Sequence, residues 1–295
     1  MWSEEELCEI VPEPTARPRG TRIRSGQLRQ ALSQLNLNRA SCMPHELTQG
    51  SSPSVIYAPS NTSHGNFIDA SYRRIHANPS WRRRLDKAHT SKRQARHTGP
   101  DEERRAWCEL DSANSSDALL MNIFCYPRVL TRPGLLALLG VDRGATPVFG
   151  YQAAASKIGD LADRTEIDMR LGDLFVEAKL TETGFQDAPK RLIERYTAFE
   201  AIFDSDLLET TRLGIRSYQL LRGVLAAEAE GASFCVLCDT RRTDLIDAWY
   251  AVMRAVRSYE LRARLRLVTW QEVAATLPRP LCSFLADKYG IEAPA

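Results

Sequence analysis

Long apolar runs are missing from this sequence, which has no stretch of the roughly 18 to 20 apolar residues that a membrane-spanning helix requires. The chain is therefore not expected to cross a bilayer. Its first residues include Glu4, Glu5 and Glu6, where a secretory signal peptide would carry basic residues. Together these two features predict a cytoplasmic protein.

The sequence also lacks several motifs that carry chemistry in other enzymes. Neither GxxxxGK[ST] nor GxGxxG is present, which argues against nucleotide hydrolysis and dinucleotide binding. No GxSxG marks a serine nucleophile. The five histidines show none of the paired spacings that histidine-based nucleases need, and they lie at positions 45, 64, 76, 89 and 97.

The cysteines are scattered along the sequence. The seven cysteines form an odd, scattered set, which indicates free thiols in a reducing compartment rather than a disulfide framework. Cys235 and Cys238 form a CxxC inside an apolar strand that would point them to opposite faces, and no second CxxC completes a zinc site.

Charge is balanced over the 295 residues at a formal +2, but it is unevenly distributed. Residues 1–60 are rich in proline and polar residues, and we interpret them as a poorly ordered leader with one short helix near 26–37. Residues 61–100 form a basic extension that includes Arg82, Arg83 and Arg84 and could follow a phosphate backbone. The alternative is a solvated helix face. Residues 101–295 hold the α/β domain.

Periodicity within this domain predicts alternating strands and helices. A helical region over 101–139 has a cap near Ser115 and an apolar run from Ala118 to Cys125. The remaining predictions are strands at 148–158, 233–238 and 265–268, a hairpin at 165–180, and helices at 186–203, 218–230, 245–256, 270–276 and 280–289. This order indicates a mixed sheet flanked by helices.

The hairpin 165–180 has a register that its turn determines. Gly172-Asp173 suits a type II′ turn with glycine at the first central position. With that turn, six apolar side chains share one face, namely Ile167, Met169, Leu171, Leu174, Val176 and Ala178. On the other face Asp168 lies opposite Glu177, and Glu166 lies opposite Lys179.

Two carboxylates placed opposite each other repel, and proteins usually avoid such a pair. A divalent cation between Asp168 and Glu177 would turn the repulsion into a ligand set, because Mg²⁺ favours one or two carboxylates together with waters and phosphate oxygens. Lys179 on the same face could hold the attacking water or neutralise charge in the transition state. The alternative is an ordinary surface hairpin whose charges balance.

The sequence Asp168-x8-Glu177-Ala-Lys179 resembles the D…(D/E)xK signature of the PD-(D/E)xK, restriction-endonuclease-like superfamily. The predicted order of elements over roughly 101–270 also resembles the α-β-β-β-α-β core of that superfamily. Ile167 stands before Asp168 instead of the proline of the family name. The resemblance implies a metal-dependent nuclease.

Transferred by this resemblance, the Mg²⁺ (or Mn²⁺) ligands would be Asp168, Glu177 and the backbone carbonyl of Ala178, and Lys179 would be the catalytic lysine. An acid from the first helix would come from Glu103 or Glu109. Gln186 would lie beside the metal, and Glu166 would pair with Lys179 or support the ligands. After the strand 233–238, Arg241 and Arg242 either contact phosphate or cap the strand and helix ends.

The expected function is therefore an Mg²⁺-dependent DNA nuclease of a restriction, defence or mobile-element type, which could act as a homodimer. One alternative is a catalytically inactive nucleic-acid-binding protein on the same fold. The other is a structural α/β protein in which the hairpin pattern is a coincidence.

Overall fold

The computed structural model describes residues 23–50, 53–60, 62–89, 106–156, 162–212 and 214–294, with the side chains of 154–156 and 162–165 not described. Within these ranges the chain forms an α/β structure built on a five-stranded sheet. The strands are β1 (His45–Leu47), β2 (Val55–Tyr57), β3 (Pro147–Ser156), β4 (Ala162–Leu171), β5 (Leu174–Ala178), β6 (Thr210–Thr211), β7 (Gly214–Ile215), β8 (Ser233–Cys238) and β9 (Leu265–Thr269).

The helices that flank this sheet are mostly short. In chain order they are α1 (Ser25–Ala40), α2 (Asp69–Ala77), α3 (Pro79–Arg82), α4 (Ser116–Phe124), α5 (Pro133–Leu139), α6 (Lys190–Ile193), α7 (Phe199–Ile202), α8 (Tyr218–Ala229), α9 (Thr243–Ala255), α10 (Tyr259–Ala263), α11 (Trp270–Ala275) and α12 (Arg279–Tyr289). A 3₁₀ turn follows α3 at Arg83–Asp86, and another precedes α4 at Glu109–Asp111. No described helix is long and apolar enough to span a membrane.

The sheet has the order β3-β4-β5-β8-β9 and is mixed. Strands β3, β4 and β5 are antiparallel, whereas β5, β8 and β9 run parallel. Helix α8 makes the crossover from β5 to β8. Because parallel strands β5 and β8 end on the same edge, the residues that follow each of them lie close together.

Each face of the sheet packs on its own core. Strand β5 is buried along its whole length, as expected for a strand covered on both sides. Phe175 packs in the core under α8 and α9, while Val176 packs in the opposite core with α4, α11 and α12. Cys235 and Cys238 divide in the same way between the two cores, as predicted for two positions that point to opposite faces of a strand, and both are free thiols.

The N-terminal segment is more ordered than the sequence predicted. Helix α1 spans 16 residues, and its Leu28 and Leu32 are buried in the core that α12 shares. The predicted short helix near 26–37 is confirmed as α1, whereas the interpretation of the residues around it as poorly ordered is wrong for the described part from residue 23 onward, which also holds β1 and β2. Burial of two leucines one helical turn apart fixes this helix, although its flanking sequence is polar.

The predicted helix over 186–203 is also wrong. The structure has only the one-turn helices α6 and α7 there, and Gln186 has a left-handed φ of 55°. Pro189 interrupts the helical hydrogen bonds, because it lacks an N–H and disfavours the helical conformation of the residue before it. The longest helix between β5 and β8 is α8, close to its predicted 218–230.

The hairpin register is confirmed around its turn. Met169 pairs with Val176, and Arg170 and Leu171 pair with Phe175 and Leu174. Gly172 at the turn has a φ of 59°, as its position in a type II′ turn requires.

Further along β4, the prediction that Ile167 shares a face with Met169 is wrong. Ile167 packs in the core under α8, whereas Met169 packs in the opposite core. The β3–β4 ladder is interrupted between Gly150, whose φ is 63°, and Asp168. The strand therefore changes face at Asp168.

Candidate active site at the end of strand β5

The residues that end β5 are fixed by their backbone. The Lys179 amide donates to the carbonyl of Leu237 at 2.8 Å, and the Lys179 carbonyl accepts from the indole of Trp270 at 2.8 Å. Strand β8 and the first residue of α11 thus hold both sides of Lys179. A backbone clamped in this way presents its side chain in one direction, as a catalytic group requires.

Lys179 forms a buried ion pair with Glu177. Its Nζ donates to Glu177 Oε1 at 2.7 Å and to Gln219 Oε1 at 2.8 Å, and it lies 5.5 Å from the ring centroid of Phe185. Burial by itself lowers the pKa of Lys179, but the carboxylates of Glu177 and Asp168 outweigh it and raise that pKa. Lys179 is therefore a protonated, oriented cation.

Asp168 lies beside this pair. Its Oδ2 accepts a hydrogen bond of 2.8 Å from the Ala178 amide, which places the carboxylate next to Glu177 across the hairpin. Burial, then the neighbouring charges of Glu177 and Asp117, raises the pKa of Asp168 well above its ordinary value. Burial also raises the pKa of Glu177. We call Asp168, Glu177 and Lys179 the hairpin site.

Asp117, in the first turn of α4, is an acid that the sequence analysis missed. Its side chain is only 7% exposed, and its charge contributes to raising the pKa of both Asp168 and Glu177. Among the predicted first-helix acids, Glu109 lies in the 3₁₀ turn before α4. Burial raises the pKa of Glu109, and the charge of Asp117 adds to the rise. Glu103 lies outside the described residues.

Asp117 belongs to a group of four charges that borders the hairpin site. Arg84 Nη2 donates to Asp117 Oδ2 at 2.9 Å and to Glu166 Oε1 at 2.7 Å. Lys87 Nζ lies 2.8 Å from the same Asp117 oxygen and 3.3 Å from Glu166 Oε1. We call Arg84, Lys87, Asp117 and Glu166 the Arg84 quartet.

The predicted pairing of Glu166 with Lys179 is wrong, because β4 changes face at Asp168. Glu166 points to the α4 side and its pKa is lowered, since the hydrogen bond and charge of Arg84 outweigh its burial. The partner of Lys179 from a helix is Gln219, in the first turn of α8. Gln186 is exposed, and its carbonyl accepts from the amide of Tyr218 at the start of the same helix.

The two arginines after β8 are held by protein groups. Arg242 is fully buried and donates to Asp244 and to the carbonyl of Glu182, so its predicted phosphate contact is wrong. Arg241 donates from Nε and Nη2 to both oxygens of Asp239. Both residues cap the end of β8 and the start of α9, which was the alternative interpretation.

The hairpin site has a donor set that fits Mg²⁺ or Mn²⁺. Both carboxylates have raised pKa values there, and the charge of Glu177 contributes to the rise at Asp168, so an ion that binds between them would relieve this repulsion. Among the residues that the structure describes, no three side chains of His, Cys, Asp or Glu form a closed metal cage. An open set with few protein ligands is how Mg²⁺ usually binds, because it keeps several waters.

An α/β protein with a carboxylate pair and a lysine at the end of a central strand has the site arrangement that the D…(D/E)xK pattern predicted. The chain belongs to the family described as "Restriction Endonuclease associating with ARP" (REase-ARP), whose family model matches residues 31–290. No curated protein and no solved structure matches the chain. Membership in this family indicates a restriction-type nuclease role with DNA as the substrate.

The clamp on Lys179 predicts a measurable cost for Trp270→Phe. This change leaves the buried Lys179 carbonyl without its donor, which should lower the free energy of unfolding by about 1–2 kcal/mol beyond the loss of ring volume. Trp249→Phe is the matched control, because Trp249 is equally buried and its indole nitrogen has no partner within the described ranges. Equal losses in urea unfolding of the two variants would show that the hydrogen bond contributes nothing.

Proposed function

We propose that the protein is an Mg²⁺- or Mn²⁺-dependent nuclease that hydrolyses phosphodiester bonds of DNA at the hairpin site. The observation that carries this proposal is the convergence of Asp168 and Glu177 with the charged amine of Lys179. Side chains buried for structural reasons alone rarely include two neighbouring carboxylates with raised pKa values. The family match supports the same reaction class.

Each residue of the site has a distinct role in this proposal. Asp168, Glu177 and the carbonyl of Ala178 would hold the ion, which would lower the pKa of a bound water and offset the charge of the scissile phosphate. Lys179 is oriented by Glu177 and Gln219, so its amine can stabilise the negative charge that develops during hydrolysis. Asp117 adds negative potential that favours a cation at this edge of the sheet.

Basic residues outside the site would bring the DNA to it. Arg82 and Arg83 are exposed at the junction of α3 and the following 3₁₀ turn, directly before Arg84 of the quartet. Exposed arginines at this place can contact the phosphate backbone without reading sequence. A homodimer, which would supply one site for each strand of a duplex, stays a prediction.

The proposal is tested by cleavage of supercoiled plasmid and linear DNA with Mg²⁺, Mn²⁺ or a chelator. We expect metal-dependent cleavage by the wild type and its loss, by at least about 100-fold, in Glu177→Gln. Glu200→Gln is the matched control. It removes the same charge from an exposed residue on α7, away from the site. Activity that survives in Glu177→Gln would refute the site.

The same experiment separates the nuclease from a protein that only binds. DNA binding by the wild type without cleavage under any metal would favour the inactive nucleic-acid-binding protein. Unfolding midpoints measured with and without Mg²⁺ separate both of these from a structural α/β protein in which the hairpin pattern is a coincidence, because only a protein that binds the ion gains stability from it.

A further inference from the structure

Arg84 is the one member of the basic run Arg82–Arg84 that reaches the interior. Its side chain is only 10% exposed, and it enters beside strand β3 to contact Asp117 and Glu166. Its charge is also close enough to interact with Asp168 of the hairpin site. An arginine from the N-terminal segment is therefore part of the surroundings of the hairpin site.

The guanidinium of Arg84 is not fully used by its protein partners. Nη2 alone donates to both carboxylates, while the buried Nε has no hydrogen-bond partner among the residues described. Arg39, Arg242 and Arg262 also keep a buried donor without a partner among the described residues, so the position beside Asp168 is what distinguishes Arg84. An unused buried donor costs free energy unless a ligand completes it, and a guanidinium is well suited to binding phosphate oxygens.

The two acids that Arg84 contacts differ in how easily they can move away. The side chain of Asp117 is 7% exposed, whereas that of Glu166 is 43% exposed and lies on the solvent side of the quartet. Lys87 would continue to neutralise Asp117 if Glu166 moved. Glu166 is thus the partner that an incoming anion can replace.

Space for the guanidinium comes from Gly150 on β3. A Cβ at this position would lie 2.3 Å from Arg84 Nη1, so any side chain would displace the guanidinium. Gly150 also lies where the ladder with β4 is interrupted next to Asp168. The absence of a side chain at this point keeps Arg84 next to the metal ligands.

We propose that Arg84 is a substrate-binding residue of the hairpin site, which exchanges Glu166 for a phosphate oxygen of the DNA strand. Gly150 is the positioning residue that leaves room for it. This inference rests on the proposed function, since it assumes that DNA enters the hairpin site. It assigns Arg84 to the reaction centre, whereas Arg82 and Arg83 would contact the backbone outside it.

The test compares two double variants of equal net charge, Arg84→Gln/Glu166→Gln and Arg254→Gln/Glu166→Gln. Arg254 is exposed on α9, and the first variant keeps the Lys87–Asp117 pair balanced. Affinity for a short DNA duplex is measured by fluorescence anisotropy over a range of salt concentrations, with a chelator present to prevent cleavage. We expect the Arg84 variant to bind at least about tenfold more weakly, with a salt slope smaller by about 0.9.

A second comparison leaves Arg84 in place. Gly150→Asn inserts a side chain against the guanidinium, and asparagine tolerates a positive φ. Gly231→Asn is the matched control, with a φ of 64° and nothing within 4 Å of the added Cβ. We expect the weaker affinity and smaller slope in Gly150→Asn alone, with both variants folded by circular dichroism.

The outcomes separate this inference from the proposed function. Equal affinities and slopes in both comparisons would make Arg84 a purely structural residue and overturn the inference, while wild-type cleavage would leave the nuclease proposal intact. If the wild type binds DNA but does not cleave it, the nuclease proposal is overturned. The salt dependence of DNA affinity in the variants would still decide the role of Arg84. Wild type that binds no DNA at low salt would overturn both.

Discussion

Lys179→Met is expected to reduce metal-dependent DNA cleavage by about 10²- to 10³-fold, because it removes the one cation that the hairpin site itself supplies to the transition state. The same change should lower the free energy of unfolding of the metal-free protein by about 3 kcal/mol. Glu177 is 2% exposed, and Lys179 is its only charged hydrogen-bond partner among the described residues. Its carboxylate would be left buried and uncompensated.

The double variant Lys179→Met/Glu177→Gln separates the two effects. Removal of both charges eliminates the unpaired carboxylate, so the stability of the metal-free protein should return to near that of the wild type. Cleavage should not recover, since both the lysine and a metal ligand are lost. Urea unfolding at neutral pH with a chelator gives the stabilities, and plasmid nicking with Mg²⁺ gives the activity.

Lys190→Met is the control for the loss of a lysine charge. Lys190 and Glu194 form a surface pair at 3.3 Å with side chains 57% and 43% exposed, so its removal should change stability by less than about 0.5 kcal/mol. A loss as small as this in Lys179→Met would mean that Glu177 is not charged in the native protein. Full activity in that variant would remove Lys179 from catalysis.

Much of the hairpin could be predicted because its turn is encoded locally. Gly172 supplies the positive φ, and the alternation along β5 then determines which of the two cores each apolar side chain faces. The prediction that Asp168, Glu177 and Lys179 lie close together depends only on this local pattern. The strands β8 and β9 could be predicted equally well, since a run of mostly apolar residues between turns is a local pattern.

The interruption opposite Asp168 could not be predicted in the same way. It depends on Gly150, which is 18 positions earlier in the sequence and lies next to Asp168 only when β3 pairs with β4. Alternation assumes a regular strand, so it placed Glu166 beside Lys179. Tertiary pairing placed it beside Arg84 instead.

Asp117 and Gln219 were missed because their local sequence has an ordinary explanation. An aspartate in the first turn of a helix, after the capping Ser115, interacts favourably with the helix dipole and needs no other role. Gln219 lies in a helix that the sequence predicted well, but nothing local indicates which turn of it faces β5. A carboxylate beside a helix cap and a polar residue early in a crossover helix are the signals that could have found them.

Asp168→Asn is expected to raise the stability of the metal-free protein by about 1–2 kcal/mol at neutral pH while it abolishes metal-dependent cleavage. Asparagine can still accept the hydrogen bond from Ala178, but it has no charge to repel Glu177. Burial and the charges of Glu177 and Asp117 disfavour the ionised form of Asp168, and its removal ends that cost. The stabilisation that Mg²⁺ gives the wild type should be lost in the variant.

The dependence of stability on pH follows from the direction of these pKa shifts. Asp168 and Glu177 have ordinary pKa values of 3.8 and 4.5, and both are raised in the folded protein. The folded state therefore binds protons more tightly than the unfolded state, so the contribution of these groups is greatest below their ordinary pKa values. This contribution to stability is lost as the pH rises through the pKa values of the folded protein. Asp168→Asn should make stability decrease less steeply with pH.

The measurement is urea unfolding of wild type and Asp168→Asn between about pH 4 and pH 8, with a chelator and then with Mg²⁺. Asp173→Asn is the control, since Asp173 is exposed in the turn of the same hairpin and should change stability by less than about 0.5 kcal/mol. If Asp168→Asn is less stable than the wild type without metal, the Asp168 carboxylate is needed as a hydrogen-bond acceptor in the fold, and its charge does not destabilise the metal-free protein. Stabilisation by Mg²⁺ that persists in the variant would place the ion elsewhere, because a carboxylate that binds the ion cannot be removed without loss of affinity.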